Sequence, residues 1–233
     1  MTWHAKPAGG YSLGSADWID NWNEIISMLS WTDEAKAGMG GNMQHESGMN
    51  PWRWQGDTVN TSGGYGLPQF TPASGYLALS GVTPNMSTSQ ITAGATPQDG
   101  ARQIQAIDGD ELHKWVSACW RDTYWSKITY ASLWRYAQEV MNTWGNGSSV
   151  TFAQFKACTD VDAAAFIWLA CYEGPRVPNY EVRKSTARTI FTQYMGGTLP
   201  PDPQPPEPYP PSGKALPVWL LKKMTEYKHI LLY

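Results

Sequence analysis

Apolar side chains recur at the spacing of an amphipathic α-helix along most of the first 198 residues. Ser15 precedes the first such run and is its candidate N-cap. One helical face of the segment 15–30 collects five large apolar side chains: Trp18, Trp22, Ile25, Ile26 and Leu29. The pattern predicts that the body of the chain is built mainly from α-helices.

Further helices follow from the same pattern and from helix boundary signals. A helix that Thr32 caps must end by residues 47–51, which contain Gly and Pro. Another opens at 96–97, with Pro as its first helical residue. The Ala-rich apolar segment 162–171 predicts a buried helix, and a last helix over 182–195 ends before two glycines.

Residues 52–75 break this pattern, because they are rich in Gly, Thr, Asn and Asp and show little helical period. They predict a loop with a short β-hairpin. No internal repeat is visible. The expected fold class is therefore mainly α with a minor β element, an α+β domain carrying one small hairpin.

The second predicted helix contains three glycines, each of which costs about 1 kcal/mol relative to Ala. They make sense where another backbone or a ligand approaches closely. Met39, Met43 and Glu46 follow i, i+4, i+7 spacing, so an apolar stripe ends in a carboxyl group. Such a carboxyl suits a general acid, and a last-turn Glu bonded to a neighbouring loop is the structural alternative.

The clearest domain boundary falls near residue 198. Residues 199–211 hold 8 of the 17 prolines and predict a semi-rigid polyproline linker. Residues 212–233 carry four Lys and one Glu, and are too short to fold alone. They predict an apolar-basic peptide that docks on a partner, a membrane surface or the body, with a free terminus or a boundary inside a longer protein as alternatives. The body is 15–198, behind a lead-in of 1–14.

The charge balance narrows the class of partner. The chain has 17 Lys+Arg, 20 Asp+Glu and a formal net charge of −3, and charged residues are 16% against about 25% in typical domains. Nucleic acid is therefore not expected as a partner. No apolar stretch is long enough to predict a membrane span. The aromatic set of 13 Trp, 12 Tyr and 5 Phe favours rings with a polar edge, which suit wet grooves as well as packing.

The cysteines and histidines predict no metal site and no cofactor. Cys119, Cys158 and Cys171 show no CxxC spacing, and the four histidines show no HxxxH spacing. A cysteine amidase or peptidase is a weak third hypothesis, because no Cys pairs with His at a recognised spacing. The polar, Gly-rich N-terminus does not resemble a secretion signal.

A polar loop follows Glu46 closely. Asp57 to Thr61 leads into a Gly-rich turn over 62–71, flanked by hydroxyls, amides and aromatic rings. This composition is typical of the edge of a carbohydrate cleft, with an ordinary hairpin as the alternative. Glycoside hydrolysis usually needs a second carboxylate, and Asp57 is the nearest candidate.

Three segments in order, GMGGNMQHESGMNPWRWQ, GGYGLPQFTP and FIWLACYEGPRVPNY, resemble the bacteriophage tail lysozyme family. That family is a branch of the lysozyme-like superfamily, which includes the soluble lytic transglycosylases. The shared landmarks are Glu-Ser at a helix end, Gly-Leu-x-Gln and Tyr-Glu-x-Pro. The resemblance covers roughly residues 15–197, and implies a helical lysozyme-like fold with a small β-hairpin beside the cleft.

The resemblance also implies roles for individual residues. Glu46 would be the general acid that protonates the β-1,4 glycosidic oxygen after N-acetylmuramic acid. Glu173 would face the cleft, or be a buried carboxylate bonded to backbone or Arg176. Pro68 stands at the variable position of Gly-Leu-x-Gln and has no backbone N–H, so a substrate contact through that N–H is absent. Tyr65, Gln69 and Phe70 would line the saccharide cleft, because they match the Gly-Leu-x-Gln region. Trp52 is expected at the border of the cleft for a separate reason, since it follows Glu46 closely.

The second catalytic group decides the expected reaction. If Asp57 or Thr61 positions a water, the protein is a hydrolase; otherwise the muramic acid 6-hydroxyl attacks and gives a 1,6-anhydro product, as in a lytic transglycosylase. Hydrolysis is favoured because both residues follow Glu46 closely. A structural or binding tail component, which grips glycan without cutting it or serves mainly as a plug in assembly, is the competing hypothesis.

The resemblance implies a place of action as well. A protein carried on a phage tail meets host peptidoglycan from outside during DNA entry, and needs no secretion signal. Residues 199–233 would then tether the body to other tail proteins, which are the expected partners beside the peptidoglycan substrate.

Overall fold

The computed structural model describes residues 3–81, 99–118 and 125–199. The chain divides into Met1–Thr198 and Leu199–Tyr233, and the fold below is that of the first unit. The helices of the described residues, in chain order, are α1 (Ala16–Ser27), α2 (Asp33–Glu46), α3 (Ala73–Ser80), α4 (Asp99–Asp108), α5 (Ala131–Trp144), α6 (Phe152–Lys156), α7 (Val161–Trp168) and α8 (Tyr180–Thr189). The prediction of a mainly α fold is confirmed.

Helix α2 lies at the centre of the fold, packed against α7 and α8. Its glycines permit this contact. A Cβ atom built on Gly38 would lie 2.5 Å from the carbonyl carbon of Ala164, and one on Gly41 would lie 2.6 Å from the carbonyl oxygen of Arg183. Backbone, rather than ligand, approaches these glycines, so the three helices pack more closely than side chains would allow.

The ends of α1 and α2 match the predicted boundaries. Thr32 accepts a hydrogen bond from the Ala35 N–H and caps α2, which ends at Glu46. Ser15 stands at the N-cap of α1 without a side-chain capping bond. The apolar face of α1 is buried at Trp18, Trp22, Ile25 and Leu29, whereas Ile26 is half-buried.

The predicted β-hairpin takes a different form. Within the described residues, the 52–75 segment contains two isolated antiparallel bridges, Trp54 with Tyr65 and Tyr65 with Phe70, and no paired strands. A short 3-10 turn covers Gln55–Asp57, and α3 begins at Ala73, inside the predicted loop. The many Gly and Pro residues of this segment favour tight turns over a regular ladder.

The two helices predicted nearest the C-terminal end of the body are longer and less regular than expected. After α7 the chain continues as a π-helical turn over Leu169–Glu173, and after α8 as another over Ile190–Tyr194. The predicted helix start at 96–97 lies outside the described residues, which resume at α4.

The predicted lead-in packs on the body. The Tyr11 N–H donates to the Gly48 carbonyl, and the side-chain amide of Asn50 donates to the carbonyls of Lys6 and Gly9. The predicted linker beyond residue 199 and the predicted docking peptide lie outside the described residues. No helix in the described ranges combines the length and apolarity that crossing a bilayer requires.

Candidate active site

The end of α2 brings a carboxyl group to the surface of the fold. Met39 and Met43 are fully buried, and the next residue of the same stripe, Glu46, has a side chain that is 21% exposed. Helix α2 stops there because Gly48 follows with a left-handed φ of +60°. The apolar stripe therefore ends where the protein opens to solvent.

Arg183 holds the Glu46 side chain in place. Its Nη2 lies 2.6 Å from Glu46 Oε1, and its Nη1 donates to Asn42 Oδ1 at 3.2 Å. The arginine side chain is only 8% exposed, so solvent screens the ion pair weakly. A guanidinium paired with a carboxylate makes a strong charge-assisted hydrogen bond, and this one joins α2 to α8.

Glu173 supplies a second carboxyl group from the turn that follows α7. It ends the π-helical turn after α7, and Gly174 follows in the left-handed region with a φ of +53°. Trp168 Nε1 donates to Glu173 Oε1 at 2.8 Å. That bond joins residues five apart, which is the neighbour spacing of a π-helical turn.

The two carboxyl groups lie in different environments. Burial, and next the negative charge of Glu46, raise the pKa of Glu173 to about 8, although Arg183 and the Trp168 hydrogen bond oppose the shift. Glu173 therefore binds a proton more readily than an exposed glutamate does. Glu46, by contrast, is paired with a full positive charge.

Both carboxyl groups border one cavity of about 280 Å³. The helical wall of this cavity consists of Glu46, Glu173 and Pro175, and the loop wall consists of Arg53, Gln55, Gly56, Gln69 and Thr71. The cavity lining thus combines two carboxyls with amide, hydroxyl and guanidinium groups. Such a lining can exchange a proton and bind a polar, uncharged or anionic ligand.

Gln69 stands at the cavity wall, as expected. Its side-chain amide donates to the carbonyls of Arg53 and Gly66, at 3.0 Å in each case. These bonds tie together the two ends of the loop that forms the loop wall. The role of Gln69 towards a saccharide stays a prediction.

Asp57 and Thr61 do not border the cavity. Asp57 Oδ1 accepts the Gly9 N–H at 2.8 Å and lies 3.1 Å from Arg53 Nε. Thr61 is exposed on the same loop. The structure therefore does not bring either residue together with Glu46, and Asp57 instead anchors Arg53 and the N-terminal segment.

The aromatic residues expected to line the cleft are packed beneath the loop wall. Tyr65 is fully buried and donates its hydroxyl to Asp99. Phe70 stacks on Tyr76 with ring centroids 4.5 Å apart, and Trp52 packs edge-on against Tyr65. These rings support the wall from behind, since the Tyr hydroxyl finds its polar partner inside the protein.

Arg183, Trp168 and Arg53 are the site residues that sequence reasoning missed. Nothing in the sequence distinguishes Arg183 from Arg188, which pairs with Asp162 instead. The partner of Glu173 is Trp168, whereas Arg176 is exposed. The α-helical pattern pairs residues three or four positions apart, so it gave no sign of the contact between Trp168 and Glu173, which are five apart.

The remaining chemistry-bearing side chains do not form a second centre in the described part of the chain. There, no group of three or more His, Cys, Asp or Glu residues could hold a metal ion. Cys158 and Cys171 are buried, and burial raises the pKa of the Cys158 thiol to about 12. Such a thiol is a poor nucleophile, so Cys158 does not suit a cysteine hydrolase. Cys119 lies outside the described residues.

The comparisons with known proteins identify the family of the chain. The chain is similar to Morphogenesis protein 1 of Bacillus phage B103, with 32% identity over 171 residues. The match covers 71% of this chain and 36% of that relative, so the chain spans roughly a third of its length. The sequence model described as phage tail lysozyme matches residues 19–194, which include both carboxyls and both walls of the cavity. The chain belongs to the phage tail lysozyme family.

Proposed function

We propose that this protein is a peptidoglycan-degrading glycosidase of the muramidase type. It cleaves the β-1,4 bond between N-acetylmuramic acid and N-acetylglucosamine, with Glu46 as the general acid. The observation that carries the proposal is the position of Glu46. It ends α2 at the border of a cavity that contains a second carboxyl group, in a chain of the phage tail lysozyme family.

The chemistry of the cavity suits a glycosidic bond. Breaking such a bond requires a proton for the leaving oxygen and negative charge near the oxocarbenium-like transition state. The cavity offers two carboxyls, of which Glu173 has a raised pKa and Glu46 is paired with arginine. Gln55, Gln69 and Thr71 on the loop wall offer amide and hydroxyl groups of the kind that bind sugar hydroxyls and acetamido groups.

Hydrolysis remains the proposed reaction, but its support changes. Asp57 and Thr61 are held away from the cavity, so they no longer argue for a positioned water. Glu173 borders the cavity instead and supplies the second carboxyl that hydrolysis usually uses. Mass spectrometry of digested peptidoglycan separates the two reactions: reducing ends are expected, and dominant 1,6-anhydro products would make the protein a lytic transglycosylase.

The family also supports a proposal about the place of action. We infer that the protein is part of a phage virion, at its tail, and opens the host wall for DNA entry. The curated relative is named for morphogenesis, which fits a protein built into a particle. We further propose that residues 199–233 attach the catalytic body to other tail proteins. Deleting them should leave wall lysis intact and lower incorporation into particles, and equal incorporation would refute the attachment.

The name of that relative also favours a second candidate function. The word morphogenesis in that name fits a structural or glycan-binding tail component that cuts no bond. The two candidates differ in one measurement, because a glycan-binding component sediments with peptidoglycan but releases no fragments from it.

The decisive experiment measures release of soluble fragments from purified peptidoglycan by the 233-residue chain. Glu46→Gln keeps the size of the side chain and should abolish release while circular dichroism stays unchanged. Glu181→Gln is the matched control, because Glu181 is an exposed glutamate on α8 that pairs with Lys184 on the same helix. Near-normal release by Glu46→Gln, or no release by the wild type, would reject the proposal.

A further inference from the structure

Arg53 is a charged residue of the cavity lining to which the proposed reaction gives no role. It belongs to the loop wall, whereas Glu46 and Glu173 belong to the helical wall. Sugar hydroxyls and acetamido groups are uncharged, and the amide and hydroxyl groups of the loop wall suffice to bind them. A guanidinium in the same lining fits an anionic group of the substrate instead.

The main chain of Arg53 is fixed from several sides. Its N–H donates to the Asn50 carbonyl at 3.1 Å, and its carbonyl accepts the Gly66 N–H at 2.8 Å and the Gln69 side-chain amide at 3.0 Å. None of these bonds uses the side chain of Arg53. A substitution of that side chain therefore leaves them available to hold the loop wall.

The side chain of Arg53 is held at one edge of its guanidinium and available at the other. Nε lies 3.1 Å from Asp57 Oδ1, and the same oxygen accepts the Gly9 N–H at 2.8 Å. Within the part of the chain that the structure describes, the two Nη groups form no hydrogen bond. The Nη1–Nη2 edge can therefore donate two parallel hydrogen bonds to a carboxylate ligand.

Arg183 shows the opposite arrangement. Its Nη2 donates to Glu46 and its Nη1 to Asn42, and the side chain is almost fully buried. Arg183 does not border the cavity, so its donors serve the contact between two helices. Arg53 is the arginine whose charge a ligand in the cavity can reach.

The other charges around the cavity permit an anionic ligand at the loop wall. The negative charge of Glu46 is paired with Arg183, and the raised pKa of Glu173 reduces the negative charge on that carboxyl. Asp57 partly offsets the charge of Arg53, but it does not border the cavity. An anion in the cavity therefore meets the guanidinium without meeting its partner carboxylate.

We propose that Arg53 is a specificity-determining residue that binds a carboxylate of the peptide attached to N-acetylmuramic acid. This inference rests on the proposed glycosidase function. Peptidoglycan differs from chitin, an uncharged β-1,4 glycan of N-acetylglucosamine, by the lactyl group of its muramic acid and by the peptide that this group carries. Free carboxylates of that peptide match a guanidinium, so Arg53 favours peptidoglycan over an uncharged glycan.

The test compares two forms of one substrate. Soluble, uncross-linked peptidoglycan strands with free peptide carboxylates, and without attached phosphate polymers, are used directly or after amidation of the carboxylates with carbodiimide and ammonia. Amidation should lower kcat/KM of the wild-type 233-residue chain by at least about tenfold, mainly through a higher KM. Arg53→Gln should lose about tenfold on the untreated strands, and its kcat/KM should differ by less than about twofold between the two forms.

Arg102→Gln is the matched control. Arg102 also pairs with a carboxylate, that of Glu111, and its side chain is 27% exposed, against 24% for Arg53. It does not border the cavity. This variant should keep the wild-type preference for the untreated strands, and circular dichroism checks the fold of both variants.

A second measurement does not depend on cleavage. Calorimetric titration of the untreated strands into Glu46→Gln and into Glu46→Gln/Arg53→Gln compares their affinities. The second substitution should lower affinity by about tenfold and weaken its dependence on salt, because one charged contact is lost. Equal affinities with equal salt dependence would reject a carboxylate contact at Arg53.

The kinetic outcomes separate this inference from the proposed function. Equal kcat/KM of wild type on both forms of the strands would show that the cavity recognises no peptide carboxylate. An equal loss by Arg53→Gln on both forms would make Arg53 a support of the loop wall. Either result overturns the inference and leaves the glycosidase intact, whereas no fragment release by wild type from either form would refute the proposed function itself.

Discussion

The helical wall and the loop wall of the cavity are held in place by different means. Of the two carboxyls of the helical wall, Glu46 ends α2 and Glu173 ends the turn after α7. Helices α2 and α7 pack so closely at Gly38 that a Cβ atom there would lie 2.5 Å from the carbonyl carbon of Ala164. The loop wall has no regular strand in the described residues, and rests on buried side chains instead. The position of the two carboxyls thus comes from helix packing, whereas the polar loop wall depends on a supporting network.

That network reaches across the chain. Gln103 on α4 accepts the Leu67 N–H at 2.6 Å and donates to the Pro51 carbonyl at 2.7 Å. Asp99 accepts the hydroxyls of Tyr65 and Tyr76, and burial raises its pKa. The loop wall is therefore fixed by contacts some 30 to 50 positions apart, which is why its form differs from a simple hairpin.

The largest expected effect is on the helical wall, in Arg183→Met. This variant leaves Glu46 without its partner in a mostly buried setting, so the free energy of unfolding should fall by about 2–4 kcal/mol in urea titrations. Adding Glu46→Gln to it should recover part of this loss, because no unpaired charge then remains. Arg188→Met is the matched control, since its pair with Asp162 is 37% exposed at the arginine. If the double variant were no more stable than Arg183→Met, the ion pair would not organise the helical wall.

The next effect concerns the pH dependence of stability in Glu173→Gln. The folded-state pKa of Glu173 is raised to about 8, so the unfolded chain releases its proton first as pH increases. Wild type should therefore lose stability relative to the variant between about pH 5 and 8, by up to about 1.4 kcal/mol per pH unit. Unfolding in urea across this range measures the difference.

The opposite slope, or none, would contradict a protonated Glu173 in the folded site. Glu181→Gln serves as the control, because the Glu181 side chain is 76% exposed and should leave the pH dependence of wild type unchanged.

Arg183→Met and Glu173→Gln both probe the helical wall, whose residues the sequence predicted in part. The i, i+4, i+7 stripe and the helix breaker at Gly48 place Glu46 at the end of α2 from local pattern alone. Glu173 was expected at the cleft only through a resemblance, because its environment depends on a π-helical turn. A single residue added to one turn changes which side chains meet, and no α-helical period signals that change.

The loop wall was less predictable for a different reason. Tyr65 and Trp52 were expected at the cleft, because rings with polar edges suit wet grooves as well as packing. Their burial depends on where a distant polar partner lies, and the partner of Tyr65 is Asp99, 34 positions away. Local composition therefore identified the right segment, Gly-rich and polar, but not which of its side chains face the cavity.

A smaller effect is expected for Tyr65→Phe, which separates support of the loop wall from contact with substrate. The variant removes one hydroxyl from the buried Asp99 and should lower the free energy of unfolding by about 1–2 kcal/mol. Fragment release at saturating peptidoglycan should change little, since the ring remains. Tyr130→Phe, at a half-buried tyrosine on the N-cap of α5, is the comparison. A large loss of activity without loss of stability would instead indicate direct contact with the saccharide.

The smallest effect is expected for Asp57→Asn, on the outer side of the loop wall. Asn keeps an acceptor for the Gly9 N–H and loses only the ion pair with Arg53, at a site where the aspartate side chain is 37% exposed. Stability should fall by less than about 1 kcal/mol, as for other exposed pairs. Fragment release should stay within about twofold of wild type, because Asp57 does not border the cavity. Asp57 can affect the reaction only through the position of Arg53, which does border it. A loss of activity comparable to that of Glu46→Gln, with stability unchanged, would return Asp57 to the role of second catalytic carboxylate and would mean that the loop wall moves towards Glu46 when peptidoglycan binds.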